Sequence, residues 1–170
     1  EALNYLNHCY EYMPHNIWDV YYELAFSLYR EFAEILYLNG HYEEAQKLIC
    51  LALEKSKSSF EQTELYALLI IQFTMMAKYE EAIFTGKKAL SLLGVDLSLT
   101  EIDKVINEEI YLIKNMLADR EVVSLIDLPL MTDIEKKQIM KILSYIAAPS
   151  YYSDKKIFFL VSAKKVRLSL

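Results

Sequence analysis

Apolar residues recur along this chain at spacings of three and four, which is the period of one buried helix face. The period is first seen over residues 16–39, at Val20, Leu24, Leu28, Phe32, Ile35, Leu36 and Leu38. It returns over residues 60–77, 79–93 and 100–117, and again in the last forty residues or so of the chain. Asn39-Gly40 and Gly94 indicate helix ends, because Gly tolerates the left-handed conformation of a helix C-terminus. The pattern predicts an all-α chain.

Helix starts are indicated by short polar residues that can accept a hydrogen bond from a free backbone N–H. Asn16 is predicted to cap the helix that runs to about Asn39, and capping boxes are predicted at Ser59-Phe-Glu-Gln62 and Thr132-Asp-Ile-Glu135. Pro149 is expected to end one C-terminal helix, because Pro lacks the N–H that continues it. Ser153 is expected to cap the helix that follows.

One stretch of the chain occurs twice. His41-Tyr-Glu-Glu-Ala-Gln-Lys-Leu-Ile-Cys-Leu-Ala-Leu53 returns as Lys78-Tyr-Glu-Glu-Ala-Ile-Phe-Thr-Gly-Lys-Lys-Ala-Leu90, 37 residues later. A repeat of this length with these Tyr and Ala positions resembles a tetratricopeptide helix pair. It predicts a right-handed stack of antiparallel helix pairs, an α-solenoid, with residues 1–170 as one region. Because small residues let two helices approach closely, Ala45 and Ala82 are expected to be nearly fully buried.

Composition and charge narrow the class of protein. Hydrophobic residues make up 54% of the chain and charged residues 25%, as in a chain that folds rather than stays disordered. The net charge of −6 argues against nucleic acid as a partner, since phosphates need a basic surface. The basic residues near the C-terminus are interpreted as the solvated side of an amphipathic helix: Lys155, Lys156, Lys164, Lys165 and Arg167.

Several features bear on the cellular location. Cys9 and Cys50 stand far apart at apolar helical positions and are expected to be buried thiols in a reducing compartment. No signal peptide is seen, and no apolar run approaches the roughly 18 residues of a membrane helix. We therefore expect a cytoplasmic protein with no membrane partner. The chain lacks an initial Met and ends in an apolar run, so we expect it to be part of a longer protein.

Residue combinations that carry catalysis were sought along the whole chain. Thr85-Gly-Lys-Lys88 lacks the earlier Gly of a phosphate-binding loop. His8, His15 and His41 have no metal-ligand spacing to each other or to the cysteines. The adjacent acids Glu43-Glu44, Glu80-Glu81 and Glu108-Glu109 are interpreted as solvated helix faces, because neighbouring helix residues point in different directions. The sequence predicts no catalytic residue, no metal and no cofactor.

A binding groove is the remaining candidate site. In tetratricopeptide-like stacks the first helix of each pair lines the concave side. The outward positions of the two first helices, by the register above, are Arg30, Glu34, Tyr37, Ala67, Ile71 and Thr74. Their mixed charged, aromatic and apolar character suits a peptide or a protein domain. The alternative is that they are plain surface, or are covered by an adjoining domain of the same chain.

Three longer stretches carry a more specific resemblance. They are Trp18–Gly40, Ala89–Leu97 and Leu125–Asp133, the last containing Leu-Pro-Leu-Met-Thr-Asp. With the Tyr-Glu-Glu-Ala turns, they resemble the helical region of large bacterial hybrid signalling proteins. Those proteins combine a Ser/Thr-kinase-like domain, an AAA-type signal-transducing ATPase, the helical region, a GAF domain and a sensor histidine kinase. Gly86 departs from the family, since it fills a usually bulky repeat position.

The resemblance implies a non-catalytic scaffold between an ATPase and an output domain, with the kinase and ATPase motifs outside this stretch. It implies protein partners, either adjacent domains of the same chain or a signalling protein. An alternative of a different class is a free-standing adaptor that binds a peptide in the groove, and a less favoured one is an unrecognised hydrolase. Ile157-Phe-Phe-Leu-Val161 is apolar on every side of its helix. We expect the next helix of a longer chain to cover it, and self-association through residues 157–170 where that helix is missing.

Overall fold

The computed structural model describes residues 2–97, 99–118, 120 and 122–170, and within them it contains helices and no strand. The α-helices of the described residues are α1 (Ala2–Glu11), α2 (Ile17–Val20), α3 (Tyr22–Leu38), α4 (Tyr42–Lys55), α5 (Ser59–Met75), α6 (Tyr79–Leu92), α7 (Ile102–Leu117), α8 (Ile134–Ser153) and α9 (Lys155–Ser169). A 3₁₀ turn spans Val122–Asp127. The all-α prediction is confirmed.

Helices joined by short connections pack side by side in pairs. The pairs are α3 with α4, α5 with α6, and α8 with α9. The second pair is joined to the first mainly through α5 and α4. The third pair is joined to the second through α8, which packs against both α5 and α6. The pairs therefore follow one another through shared helix contacts.

Helix α7 does not form a pair with α6, the helix that precedes it in the chain. Although it follows α6 in the chain, its extensive contacts within the described residues are with α9. Asp103 of α7 meets Lys156 of α9, and Glu109 of α7 meets Lys164 and Arg167. Because these contacts run in the same direction along both helices, α7 and α9 are parallel. An earlier helix of the same chain therefore covers part of α9. That a later helix covers the remainder stays a prediction.

The alanines of the repeat lie where the helices of a pair pack together. Ala45 and Ala52 of α4 and Ala82 and Ala89 of α6 have no exposed surface, which confirms the prediction for Ala45 and Ala82. The first pair and α5 share one apolar cluster, and the second and third pairs share another that includes Ile142, Ile146, Leu160 and Val161. The small residues let the helices of each pair come close enough to bury the larger neighbours.

The predicted register of the first long helix is partly wrong. Val20, Leu24 and Leu38 are more than half exposed, whereas Ala25 and Ala33 are fully buried. The buried stripe of α3 is Ala25, Phe26, Tyr29, Phe32, Ala33, Leu36 and Tyr37. It includes the two alanines because they allow close packing, and aromatic residues supply the remaining buried area. The predicted helix is also interrupted at Tyr21. This residue has φ −133° and ψ 57°, outside the helical range, and it separates α2 from α3.

Helix starts lie close to their predicted places, but different residues cap them. Asn16 makes no side-chain capping bond. The capping box of α5 is Ser58 with Glu61, and Asp133 caps α8, accepting from the Lys136 N–H at 3.0 Å. Asp154 caps α9 in place of the predicted Ser153. The last three predictions are each displaced by one residue, because the cap is decided by which side-chain oxygen reaches the second or third N–H of the helix.

Two further predictions are wrong. Pro149 lies inside α8, which continues to Ser153, because a Pro in the last turn removes one helical hydrogen bond without blocking the remaining turn. Cys9 and Cys50 are both exposed. Cys50 shares the outer face of α4 with charged residues.

None of the helices in the described residues combines the length and the apolar composition that a membrane span requires.

Candidate docking surface

The predicted groove residues lie on α3 and α5, which touch along part of their length. Arg30 of α3 donates from Nη1 to the Glu64 Oε2 of α5 at 2.9 Å. Both side chains are partly buried, with 34% and 22% of their surface exposed. The guanidinium is therefore already paired inside the molecule, so it is less available to a partner's carboxylate.

The six predicted residues do not form one open surface. Glu34 is exposed, and Arg30, Ile71 and Thr74 are half-buried. The Thr74 hydroxyl donates to the Ile70 carbonyl at 2.7 Å, and Ile71 packs on the apolar cluster of the first pair. Tyr37 and Ala67 are 5% and 2% exposed, so the prediction that these two point outward is wrong.

Helix α8 explains why one side of the predicted groove is closed. Ala67 belongs to the same apolar cluster as Ile142 and Ile146 of α8. Burial, and then the neighbouring Glu34 and the Tyr145 hydroxyl of α8, raise the pKa of Tyr37. Gln138 of α8 donates to the buried Thr63 hydroxyl of α5 at 3.0 Å. The side of α5 that was expected to receive a partner is thus occupied by another helix of the chain.

A polar contact fixes the start of α5 to α3. The Glu61 carboxylate oxygen Oε2 accepts from the Tyr22 hydroxyl at 2.7 Å and from the Lys57 and Ser58 N–H groups at 2.6 and 3.1 Å. The Lys57 ammonium lies 3.6 Å from the centre of the Tyr22 ring. Burial, and then the hydrogen bond to Glu61, raise the pKa of Tyr22 to about 12. A phenol this weakly acidic stays neutral and acts as a donor, so the arrangement is structural.

A second charged contact, which the sequence did not predict, joins α7 to α9. Glu109 is only 6% exposed. Its oxygens accept from Lys164 Nζ at 2.8 Å and from Arg167 Nε at 2.5 Å. Burial by itself would raise the pKa of Glu109, but the hydrogen bonds and charges of Lys164 and Arg167 outweigh it and lower that pKa. The carboxylate is therefore ionised and firmly paired.

This contact corrects two interpretations of the sequence. Glu109 is not on a solvated face, although Glu43, Glu44, Glu80, Glu81 and Glu108 are exposed as expected. The Lys164 side chain is 11% exposed, so the basic C-terminal residues are not all on a solvated side either. The sequence held a signal, because Glu109 stands at helical spacing from Ile102, Val105 and Ile106 on the apolar face of α7. An acid within an apolar stripe requires a cationic partner.

Several exposed apolar residues lie on α7 and on the segment that follows it. Ile110, Tyr111, Leu112 and Met116 flank the face that α9 covers, and they are 40–65% exposed. After α7, the more exposed residues are Val123, Ile126, Leu130 and Ile134, at 68–91%. Exposed apolar side chains that lie together on a surface mark sites of protein contact.

The described residues contain no group of three or more His, Cys, Asp or Glu side chains placed to hold a metal ion. A depression on the outer side of α7 is lined by Lys104, Asn107, Glu108, Tyr111 and Leu112. Comparison of the chain with protein-family models, with curated proteins and with solved structures gives no match.

Proposed function

We propose that this chain is a non-catalytic helical-repeat scaffold of a bacterial signal-transduction protein and that it works by binding protein. The observation that carries the proposal is the recurrence of Tyr-Glu-Glu-Ala at the start of α4 and α6, with Ala45 and Ala82 both fully buried against the first helix of their pair. A repeat that buries its small residues in the same way twice is characteristic of stacked helix pairs.

The proposed architecture is a right-handed, tetratricopeptide-like stack of α3–α4, α5–α6 and α8–α9. It is supported by the contacts of each pair with the next, and by the two first helices α5 and α8 lying side by side. A stack of this kind presents continuous surfaces and requires no catalytic group. The proposed location is the cytoplasm, where ATPase and histidine kinase domains of hybrid signalling proteins act.

The partner surface is proposed to be α7 and residues 123–134, where Val123, Ile126 and Leu130 are 78–91% exposed. The alternative, an adaptor that binds a peptide on α3 and α5, depends on six residues of which Tyr37 and Ala67 are buried. The alternative is therefore the weaker proposal. An adjoining domain of the same protein is the simplest occupant of a large exposed apolar surface.

The test is to determine the coding sequence on both sides of this chain. Flanking ATPase and histidine kinase domains are the expected result, and a short open reading frame without them would overturn the signalling proposal in favour of the adaptor. A second measurement addresses catalysis. Rigorously purified chain is expected to release no labelled phosphate from ATP, and a turnover that persists through purification would contradict the non-catalytic assignment.

A further inference from the structure

Helix α7 contacts α9 through both charged pairs and apolar side chains, as a bound helix contacts its receptor. Asp103 and Glu109 of α7 meet Lys156, Lys164 and Arg167 of α9, at 2.5–2.8 Å. Beside the charged residues, Ile102, Val105 and Ile106 pack on the apolar cluster that α9 shares with α5, α6 and α8. The α9 surface therefore selects an amphipathic helix by an apolar stripe and by a carboxylate within it.

The cationic side of this surface needs an anionic occupant. The Lys164 side chain is 11% exposed, and the Glu109 side chain that pairs with it is 7% exposed. An ammonium group this deeply buried loses most of its hydration, and without a carboxylate it gains no ion pair to offset that loss. A helix that lacked an acid at the position of Glu109 would be rejected. Charge thus supplies specificity, while the apolar stripe supplies most of the contact area.

Helix α7 is joined to the helix pairs mainly through α9. Within the described residues its extensive contacts are with α9, whereas α8 is held by α5, α6 and α9. The connections on either side of α7, at 93–101 and 118–133, contain no α-helix in their described part. Ile110, Leu112 and Met116 are 40–44% exposed, so part of the apolar surface of α7 is not covered by the helix pairs.

We propose that this face of α9 is a binding site for an amphipathic α-helix that carries a carboxylate in its apolar stripe, and that α7 is a resident occupant which a partner helix displaces. The inference rests on the proposed protein-binding function and adds a second surface to it, the face of α9 that α7 covers. A tethered occupant acts at an effective concentration on the order of 1 mM. A partner at about 10 μM must therefore bind about 100-fold more tightly than α7 to displace half of it.

The probe for this site is a fluorescent synthetic peptide with the sequence of residues 100–118. It is titrated into the complete chain, into Glu109→Lys, and into Glu108→Lys as a matched control. Glu108 is the exposed neighbour of Glu109 on the same helix, so its substitution changes the net charge equally without touching α9. The expected result is at least tenfold tighter peptide binding to Glu109→Lys than to the wild type or to Glu108→Lys. A peptide with Lys at the position of Glu109 is expected to bind none of them.

Hydrogen exchange on the same proteins separates displacement from unfolding. In Glu109→Lys the amides of α7 are expected to lose protection while those of α5, α6 and α8 keep it. Loss of protection in α8 together with α7 would overturn the proposal, since α7 would then be part of the core. Equal peptide binding to all three proteins, or α7 released with no peptide bound, would overturn it as well. Glu109→Gln gives the same comparison if the Lys variant does not fold.

These outcomes are distinct from a failure of the proposed function. A gene without flanking kinase and ATPase domains would leave peptide binding to α9 unchanged. Conversely, a fixed α7 in a chain flanked by those domains would remove the displaceable site and leave the scaffold assignment intact.

Discussion

Ile146 of α8 packs directly over Gly86 of α6. A Cβ built on Gly86 would overlap the Cγ2 of Ile146 and would lie 3.4 Å from its Cβ. Both residues are buried. Gly within a helix is normally less stable than Ala, so its presence here is explained by the approach of the neighbouring helix. The bulky residue that the repeat normally carries at this position is thus replaced by a side chain from the next helix pair.

The first prediction follows from this contact. Gly86→Ala should destabilise the chain by about 1–3 kcal/mol, because Ile146 cannot move its branched carbon without shifting α8. At an ordinary helix position the same change would stabilise by about 0.5–1 kcal/mol, so the sign is diagnostic. Denaturant unfolding measures it, with Ser91→Ala on the exposed side of α6 as the control. A Gly86→Ala protein more stable than the wild type would contradict the contact.

The second prediction concerns the repeat alanines. Ala82→Leu should cost about 1–3 kcal/mol, since Ala82 has no exposed surface at the packing of α6 against α5. Glu81→Leu, at the exposed neighbouring position, should change stability by less than about 0.5 kcal/mol. Thermal melts of the two variants give the comparison. Equal melting temperatures would remove the assigned register of the repeat.

The third prediction uses two equivalent helix ends. Gly40 and Ala77, 37 residues apart, both have a positive φ, of +84° and +56°. Each is followed by a residue whose N–H bonds back to the helix, His41 to the Leu36 carbonyl and Lys78 to the Phe73 carbonyl. Because Ala is strained in this conformation and Gly is not, Ala77→Gly should stabilise the chain by about 0.5–1 kcal/mol. Gly40→Ala should destabilise it by a similar amount, and calorimetry on both variants should show shifts of opposite sign.

The fourth prediction concerns pH. The folded chain holds the pKa of Glu109 below its ordinary value, so the unfolded chain binds the proton more readily. The stabilisation is present above the unfolded pKa of about 4.3 and is lost as the pH falls through the lower folded value. Glu109→Gln removes this dependence and costs about 3 kcal/mol at neutral pH, since Lys164 is left without its carboxylate. Unfolding measured between about pH 7 and pH 3 should show the wild type losing more stability than the variant; parallel curves would exclude the assigned pKa shift.

The fifth prediction concerns self-association through residues 157–170. Ile157, Leu160 and Val161 are buried, but Phe159 remains 61% exposed. Two copies that cover this ring would each bury apolar surface worth roughly 1.5–3 kcal/mol per side chain. Phe159→Glu should therefore weaken any dimer seen by sedimentation at high concentration. Phe84→Glu is the matched control, since Phe84 is 59% exposed on α6; a dimer lost through Phe84 instead would place the interface elsewhere.

The helices themselves could be predicted because the apolar period and the helix-ending residues are local properties of the sequence. The repeat identified α4 and α6, and Gly40 and Gly94 marked ends that the structure confirms. The buried stripe of α3 was placed wrongly, because Leu24 and Ala25 both suit a helix and the choice depends on what α4 presents to them. Tertiary packing decides between such neighbouring registers.

The site was less predictable than the fold. Tyr37 and Ala67 were placed outward by analogy between repeat positions, yet α8 closes that side of α5. Glu109 and Lys164 are 55 residues apart. They pair because α7 packs against α9 rather than against α8, the next helix in the chain. A single sequence indicates neighbouring elements more readily than distant ones, because consecutive helices usually lie adjacent in space.

The placement of α7 on α9 also orders events during synthesis. The ribosome completes α7 before it begins α8 and α9, which are the next two helices of the chain. At typical rates of elongation the nascent chain carries α7 without its partner for roughly 3–10 s. During that interval the apolar stripe of α7 and the Glu109 carboxylate are open to chaperones and to other nascent chains. Synthesis of α9, the second helix after α7, ends this exposure.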